Sequence, residues 1–167
     1  MKLRVSILTI SDRSFLGERE DLSGPLLEEM VEAQGWLISR IGIVPDEMAE
    51  ISNILKEWSD SGEVDVILTT GGTGFAPRDI TPEATLSVIE RRAPGLVEAI
   101  RTKSLAITPH AMLSRAEAGI RGKVIIINLP GSPKAVKENF EVISPVLSHG
   151  VALLREAPDS EAGHQKD

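Results

Sequence analysis

The 167-residue chain contains no cysteine. A disulfide framework, a thiolate metal site, an iron–sulfur cluster and a cysteine nucleophile are all excluded. Zinc would have to be held by histidine, of which there are only three. His110, His149 and His164 do not form a site by their spacing, and each reads as a structural or solvated residue. No apolar run approaches the ~18–20 residues of a membrane-spanning helix, and the chain leads from Met1 into a strand-like segment without a signal-peptide pattern. The expectation is a cytoplasmic protein with no membrane partner. Basic runs are missing too: 18 Lys+Arg stand against 25 Asp+Glu, a net charge of −7. Phosphate-backbone affinity needs clustered cations, so nucleic acid is not an expected partner. A small-molecule enzyme or a protein-binding module remains.

What is present suits a folded domain. Apolar residues make up 41 %, and the 14 glycines bring this to about 49 %, within the ~45–50 % usual for globular chains. The length fits roughly one domain of ~150 residues. Residues 1–155 are expected to form it, and 156–167, polar and without periodicity, a frayed C-terminal tail.

Residues 3–10, 36–44, 64–68 and 124–129 read as strands, each apolar throughout, and the run 3–10 is of the kind a strand shows when both its faces are covered. Between them lie helical patterns. Ser23 and Pro25 open one as cap and first turn, Pro45-Asp46 a second, Thr81-Pro82 a third with Thr81 as cap, and Pro94 a fourth. Helices are also expected from about Pro133 to Ile143 and from Pro145 to about Arg155. Gly122-Lys123 reads as a hairpin turn into the last strand. Alternation of apolar strands with helices predicts a three-layer α/β/α domain with a mainly parallel central sheet.

In such a sheet the strand C-termini share one edge, and ligands bind there. Every strand exit in this chain is polar, glycine-rich or charged: Ser11-Asp12-Arg13, Asp46-Glu47, Gly71-Gly72-Thr73-Gly74 with Arg78-Asp79, and Gly131-Ser132-Pro133-Lys134. The glycine run is neither a Walker A loop nor a GxGxxG fingerprint, but its amides can cradle a phosphate; a plain turn is the alternative. Ser132 and Pro133 form a helix start that favours an anion, with Lys134 adding charge, or simply a capped helix. Asp46 and Asp79 leave different strands and can face each other across the crevice. Two carboxylates beside a phosphate site call for a divalent cation, of which Mg²⁺ is the commonest choice. Asp46 reads equally as a helix cap, and Asp79 as a turn residue or a partner of Arg78.

The run from Thr69 through Gly71-Gly72-Thr73-Gly74 to Arg78-Asp79-Ile80-Thr81-Pro82-Glu83 resembles the signature of the MogA/MoaB family of molybdenum-cofactor biosynthesis proteins, which includes the G domain of gephyrin. Ser11-Asp12-Arg13 with Ser23-Gly24-Pro25, Val44-Pro45-Asp46-Glu47, and Leu113-Ser114-Arg115-Ala116 through Asn128 to Ala135 agree in order. The resemblance implies a molybdopterin adenylyltransferase, moving AMP from ATP to the terminal phosphate of molybdopterin with release of pyrophosphate; a non-catalytic molybdopterin-binding or MoaB-like paralogue is the alternative. It further implies Mg²⁺, a homotrimer and a downstream molybdate-insertion protein. Asp46 and Asp79 match the family's catalytic acidic positions and are the Mg²⁺ ligands that the resemblance suggests. Ser11, Asp12, Gly71, Gly72, Thr73, Gly74, Arg78, Ser114, Gly131, Ser132 and Lys134 match segments that bind substrate or nucleotide.

Overall fold

The computed structural model describes residues 1–156. The remainder of the expected tail, 157–167, lies outside the described residues. Six strands form one sheet: β1 (Arg4–Ile10), β2 (Leu37–Val44), β3 (Val66–Thr70), β4 (Arg91–Arg92), β5 (Ala118–Arg121) and β6 (Val124–Leu129), in the order β2-β1-β3-β6-β5-β4. β2, β1, β3 and β6 run parallel, and β5 returns antiparallel to β6 through the Gly122 turn. The two-residue β4 on the far edge carries no periodicity of its own and is held by its pairing with β5.

Alternation along the central strands assigns them to two layers. Val5 and Ile7 of β1, Leu68 of β3 and Ile125, Ile127 and Leu129 of β6 pack with α2 (Ser23–Ala33), α5 (Pro94–Leu105) and α6 (Pro133–Leu154). Leu8, Ile10, Ile67 and Ile126 point the other way, against α3 (Met48–Asp60) and α4 (Thr81–Leu86). All residues of β3 and β6 are buried, the physical reason for their unbroken apolar runs. The three-layer expectation is met.

Local signals differ from the sequence reading in three places. First, α6 runs through Pro145 as one helix. A proline inside a helix costs about 3 kcal/mol, but Phe140, Ile143, Leu147 and Val151 on either side of it are all within 1 % of full burial in one core. Their stripe continues only if the helix does. Second, Ser23 does not cap α2: the Asp21 carboxylate accepts from the Ser23 and Gly24 amides at 3.2 and 3.0 Å, freeing the Ser23 hydroxyl to donate to the Gly131 carbonyl at 2.6 Å. Third, Thr81 does not cap α4 but donates its hydroxyl to the Gly71 carbonyl at 2.9 Å. In both cases a distant carbonyl at the sheet's C-terminal edge outcompetes the local helix end.

At the opposite edge Asp65 is 1 % exposed. It accepts from the Arg4 amide at 2.8 Å and the Arg4 guanidinium at 2.9 Å, and it pairs with Arg155 just beyond α6. One carboxylate thus ties the starts of β1 and β3 to the end of the longest helix. Removing a buried partner leaves donors uncompensated. Asp65→Ala is expected to lower unfolding free energy by about 3 kcal/mol, read as an earlier midpoint in urea.

Candidate active site

Chain order reverses between β1 and β3, because β2 lies on one side of β1 and β3 on the other. The crevice at that switch point is where an open parallel sheet accepts ligands. Gly71, the first residue past β3, crosses the end of β1. Its φ is +104°, and a β-carbon would lie 2.3 Å from the Ile10 carbonyl. Gly72 follows with φ +69°. The Gly71 amide donates to the Leu129 carbonyl at 3.1 Å, so it is spent on the sheet. Thr70 donates to the Pro130 carbonyl at 2.7 Å, joining the β3 and β6 exits.

Two cavities flank this loop. One of about 440 Å³ is lined by Ser11, Arg19, Asp21, Ser23, Gly71 and Ser132, among others. The other, about 330 Å³, is lined by Thr73, Gly74, Arg101, His110, Ser114 and Ser132, among others. The Gly71–Gly74 run therefore leads from the first cavity to the second, and Ser132 borders both. Ser132 caps α6, its hydroxyl accepting from the Ala135 amide.

Both carboxylates meet the same loop. A β-carbon on Gly72 would stand 3.1 Å from Asp46 Oδ1, and one on Gly74 would stand 3.0 Å from Asp79 Oδ2. Asp46 does not cap α3, which begins two residues later without a side-chain cap. Its Oδ2 instead accepts from the Asp12 amide at 2.9 Å, while the Asp46 amide donates to Asp12 Oδ1 at 3.0 Å. This reciprocal pair joins the β1 and β2 exits. Arg78 closes the group: its Nε donates to Asp12 Oδ2 at 2.6 Å and its Nη2 to Glu47 Oε1 at 2.7 Å and the Asp46 carbonyl at 3.2 Å. Asp79 closes the loop on itself, its carboxylate accepting from the Ala76 amide at 3.0 Å and its amide donating to the Ala76 carbonyl at 2.9 Å.

The two linked aspartates titrate in opposite directions. The Arg78 hydrogen bond holds the Asp12 carboxyl below its ordinary range. Burial, with repulsion from Asp12 and Asp79, pushes Asp46 up against the opposing Asp12 amide bond.

Residues 6–149 match the family model described as "Probable molybdopterin binding domain". The chain belongs to this family. Among similar proteins, the molybdenum cofactor synthesis protein cinnamon of Drosophila melanogaster is 48 % identical over 89 % of this chain. The chain spans about a quarter of that protein's length, 25 %, and 24 % of the gephyrin of Dictyostelium discoideum. A molybdopterin adenylyltransferase of Helicobacter pylori strain J99 is 42 % identical, with 91 % of this chain and 88 % of that protein covered. The crystal structure of the molybdopterin biosynthesis enzyme MoaB from Thermus thermophilus superposes with a TM-score of 0.86 at 46 % identity, covering 91 % of this chain and 96 % of that one.

In this molybdopterin-binding domain the fold brings Ser11, Gly71, Gly131 and Ser132 to the first cavity and Thr73, Gly74, Ser114 and again Ser132 to the second. Asp46 and Asp79 lie against the loop between them. Asp12 and Arg78 border neither cavity but line a separate groove with Phe15 and Leu16. The Lys134 side chain is 80 % exposed, 4.0 Å from Glu138 one turn on, and lines neither cavity. Sequence reasoning missed Thr81 and Ser23 as loop anchors and Arg101, Ser104 and Asn139 as cavity walls. Arg101 donates to the Ser114 and Ala116 carbonyls at 3.2 and 2.6 Å, and Ser104 to Asn139 at 3.0 Å. Their helical spacing on α5 and α6 marked them only as polar positions.

A group with a raised folded pKa supports the fold while protonated and loses that support as pH rises through its folded pKa. Ionised Asp46 therefore opposes folding at neutral pH. Asp46→Asn, whose amide oxygen can still accept from Asp12, is expected to melt above wild type at pH 7. The gain should vanish as pH falls below the ordinary carboxylate pKa of about 3.9, which thermal scans across pH would read. Gly71→Ala should cost more than the ~1–2 kcal/mol of a left-handed backbone alone, because the Ile10 carbonyl must also move; urea unfolding checks it.

Proposed function

We propose that this protein is a molybdopterin adenylyltransferase, transferring AMP from ATP to the terminal phosphate of molybdopterin and releasing pyrophosphate. The observation that carries the reading is a glycine loop with a carboxylate against each of two of its residues, running between two cavities. A reaction that joins two large anions needs a place for each and a charged junction where they meet. The names of relatives 41–42 % identical over most of the chain agree with it.

The chemistry suits these residues. An oxygen of the molybdopterin phosphate forms a bond to the α-phosphorus of ATP, and the bond from that phosphorus to the bridging oxygen of pyrophosphate breaks. The nucleophile is already ionised at pH 7, so no strong base is required. What the protein must supply is alignment and compensation of charge. Asp46 and Asp79 would hold Mg²⁺; the burial of the Asp46 carboxyl, with the lesser repulsion from Asp12 and Asp79, fits an ion commonly bound through one or two carboxylates plus phosphates. Bound there, the cation would screen the repulsion between the two substrates. The missing β-carbons of Gly71, Gly72 and Gly74 let the loop backbone pass close against Ile10, Thr81, Asp46 and Asp79. The α6 N-terminus at Ser132, on the border of both cavities, favours an anion. The Asp12 amide orients the Asp46 carboxylate, and Arg78 offsets the charge of Asp12 and Glu47 behind it.

The proposal extends to a cytoplasmic homotrimer that passes its product to a molybdate-inserting protein. Edge strand β2 supports self-association: Leu37, Ile41 and Ile43 are 47, 52 and 39 % exposed on it, and bare apolar edges seek a partner. Sedimentation at micromolar concentration should give a trimer, and a monomer contradicts this part.

Purified protein with molybdopterin, ATP and Mg²⁺ should release pyrophosphate, stop on chelation and resume when Mg²⁺ is restored. Asp46→Asn and Asp79→Asn should keep the fold and lose about 10²-fold or more in turnover. Turnover like wild type in both variants overturns the assigned roles. Tight binding of both substrates without pyrophosphate would identify a binding module instead.

A further inference from the structure

We infer that Arg115 is a positioning residue that sets the place of Asp79 by clamping both ends of the loop that carries it. The inference rests on the proposed role of Asp79. Arg115 Nε donates to the Gly74 carbonyl at 2.8 Å, and Nη2 donates to the Asp79 carbonyl at 2.5 Å. Nη1 pairs with Glu83 in the first turn of α4, and the Arg115 amide donates to the Thr73 carbonyl at 2.8 Å. One residue thus engages the carbonyls of 73, 74 and 79. Between those points the loop is closed by the Ala76–Asp79 turn and tied outward by Arg78, whose side chain is 57 % exposed.

Geometry selects arginine. A planar guanidinium presents several donors at fixed angles, so it can hold two carbonyls and a carboxylate at once; a lysine ammonium is a point charge on a flexible stem. Glu83 balances the charge, and the guanidinium in turn keeps the Glu83 carboxyl low. Arg115 lines neither of the two cavities, so it acts through the loop. Its neighbour Ser114 lines the second cavity, so the clamp also couples that cavity wall to the Asp79 carboxylate.

The test uses Arg115→Ala and Arg115→Lys in the full chain, with two independent readouts. Hydrogen exchange of amides 74–80 needs no substrate. It should quicken in both variants, more in the alanine form, while exchange in β1, β3 and β6 stays as in wild type. In the adenylylation assay kcat should fall about 10–100-fold, the usual cost of a misplaced catalytic group, with KM for molybdopterin and ATP unchanged. Methylguanidinium should restore part of the alanine variant's rate, and adding Asp79→Asn to Arg115→Ala should cost far less than in wild type. If the alanine form does not fold, the lysine form carries both readouts. Unchanged exchange at 74–80, exchange that rises uniformly across the chain, or losses that add fully with Asp79→Asn overturn the inference. A wild-type protein that releases no pyrophosphate sinks the proposed function instead, and leaves the exchange result to decide the clamp.

Discussion

Gly71 has no room for a side chain, and the rest of the site follows from that. Its α-carbon passes so near the end of β1 that a β-carbon would stand 2.3 Å from the Ile10 carbonyl. The approach is held from three sides: by the Gly71 amide on Leu129, by the Thr81 hydroxyl on the Gly71 carbonyl, and by Thr70 on Pro130. Because the loop crosses here, Gly72 lies against Asp46 and Gly74 against Asp79. A longer route around β1 would separate the carboxylates from the loop and the two cavities from each other.

Charge presents the second constraint. For the proposed reaction a chain of net charge −7 has to accept anions, and its global field opposes them. The arrangement works locally. Arg78 is committed to Asp12 and Glu47, while burial, with repulsion from Asp12 and Asp79, raises Asp46. In the proposed reading, a cation held between Asp46 and Asp79 relieves that repulsion. With Asp46 in its proposed role, function is opposed to stability there, as is common where polar groups are held for chemistry rather than for the fold.

Much of the architecture was legible because it depends on local pattern. Apolar runs named the parallel strands, although edge strand β2 is half-exposed rather than covered on both faces, and proline with serine or threonine marked the helix starts to within a few residues. The errors share one cause, a tertiary partner that outweighs a local preference. Ser23 and Thr81 carry the residue types of helix caps, yet each hydroxyl serves a carbonyl brought near by the sheet, Gly131 and Gly71. Pro145 is a helix breaker whose effect is outweighed by the burial of its neighbours. β4 exists only through its partner.

By itself the sequence determined the layer order of strands and helices, the exits at which polar residues gather, and the glycines that a close crossing requires. These are properties of a residue and its near neighbours, set by backbone sterics and by the period of apolar positions. Only the tertiary structure decided which acid faces which loop, that Asp12 and Asp46 bind each other's amides, that Arg78 and Lys134 line neither of the two cavities, and that Arg115 holds the loop of Asp79. A polar side chain takes its partner from whatever lies within about 3 Å, and at this crevice partners such as Asp12 with Asp46 and Thr70 with Pro130 come from strand exits 34 and 60 positions apart in the chain.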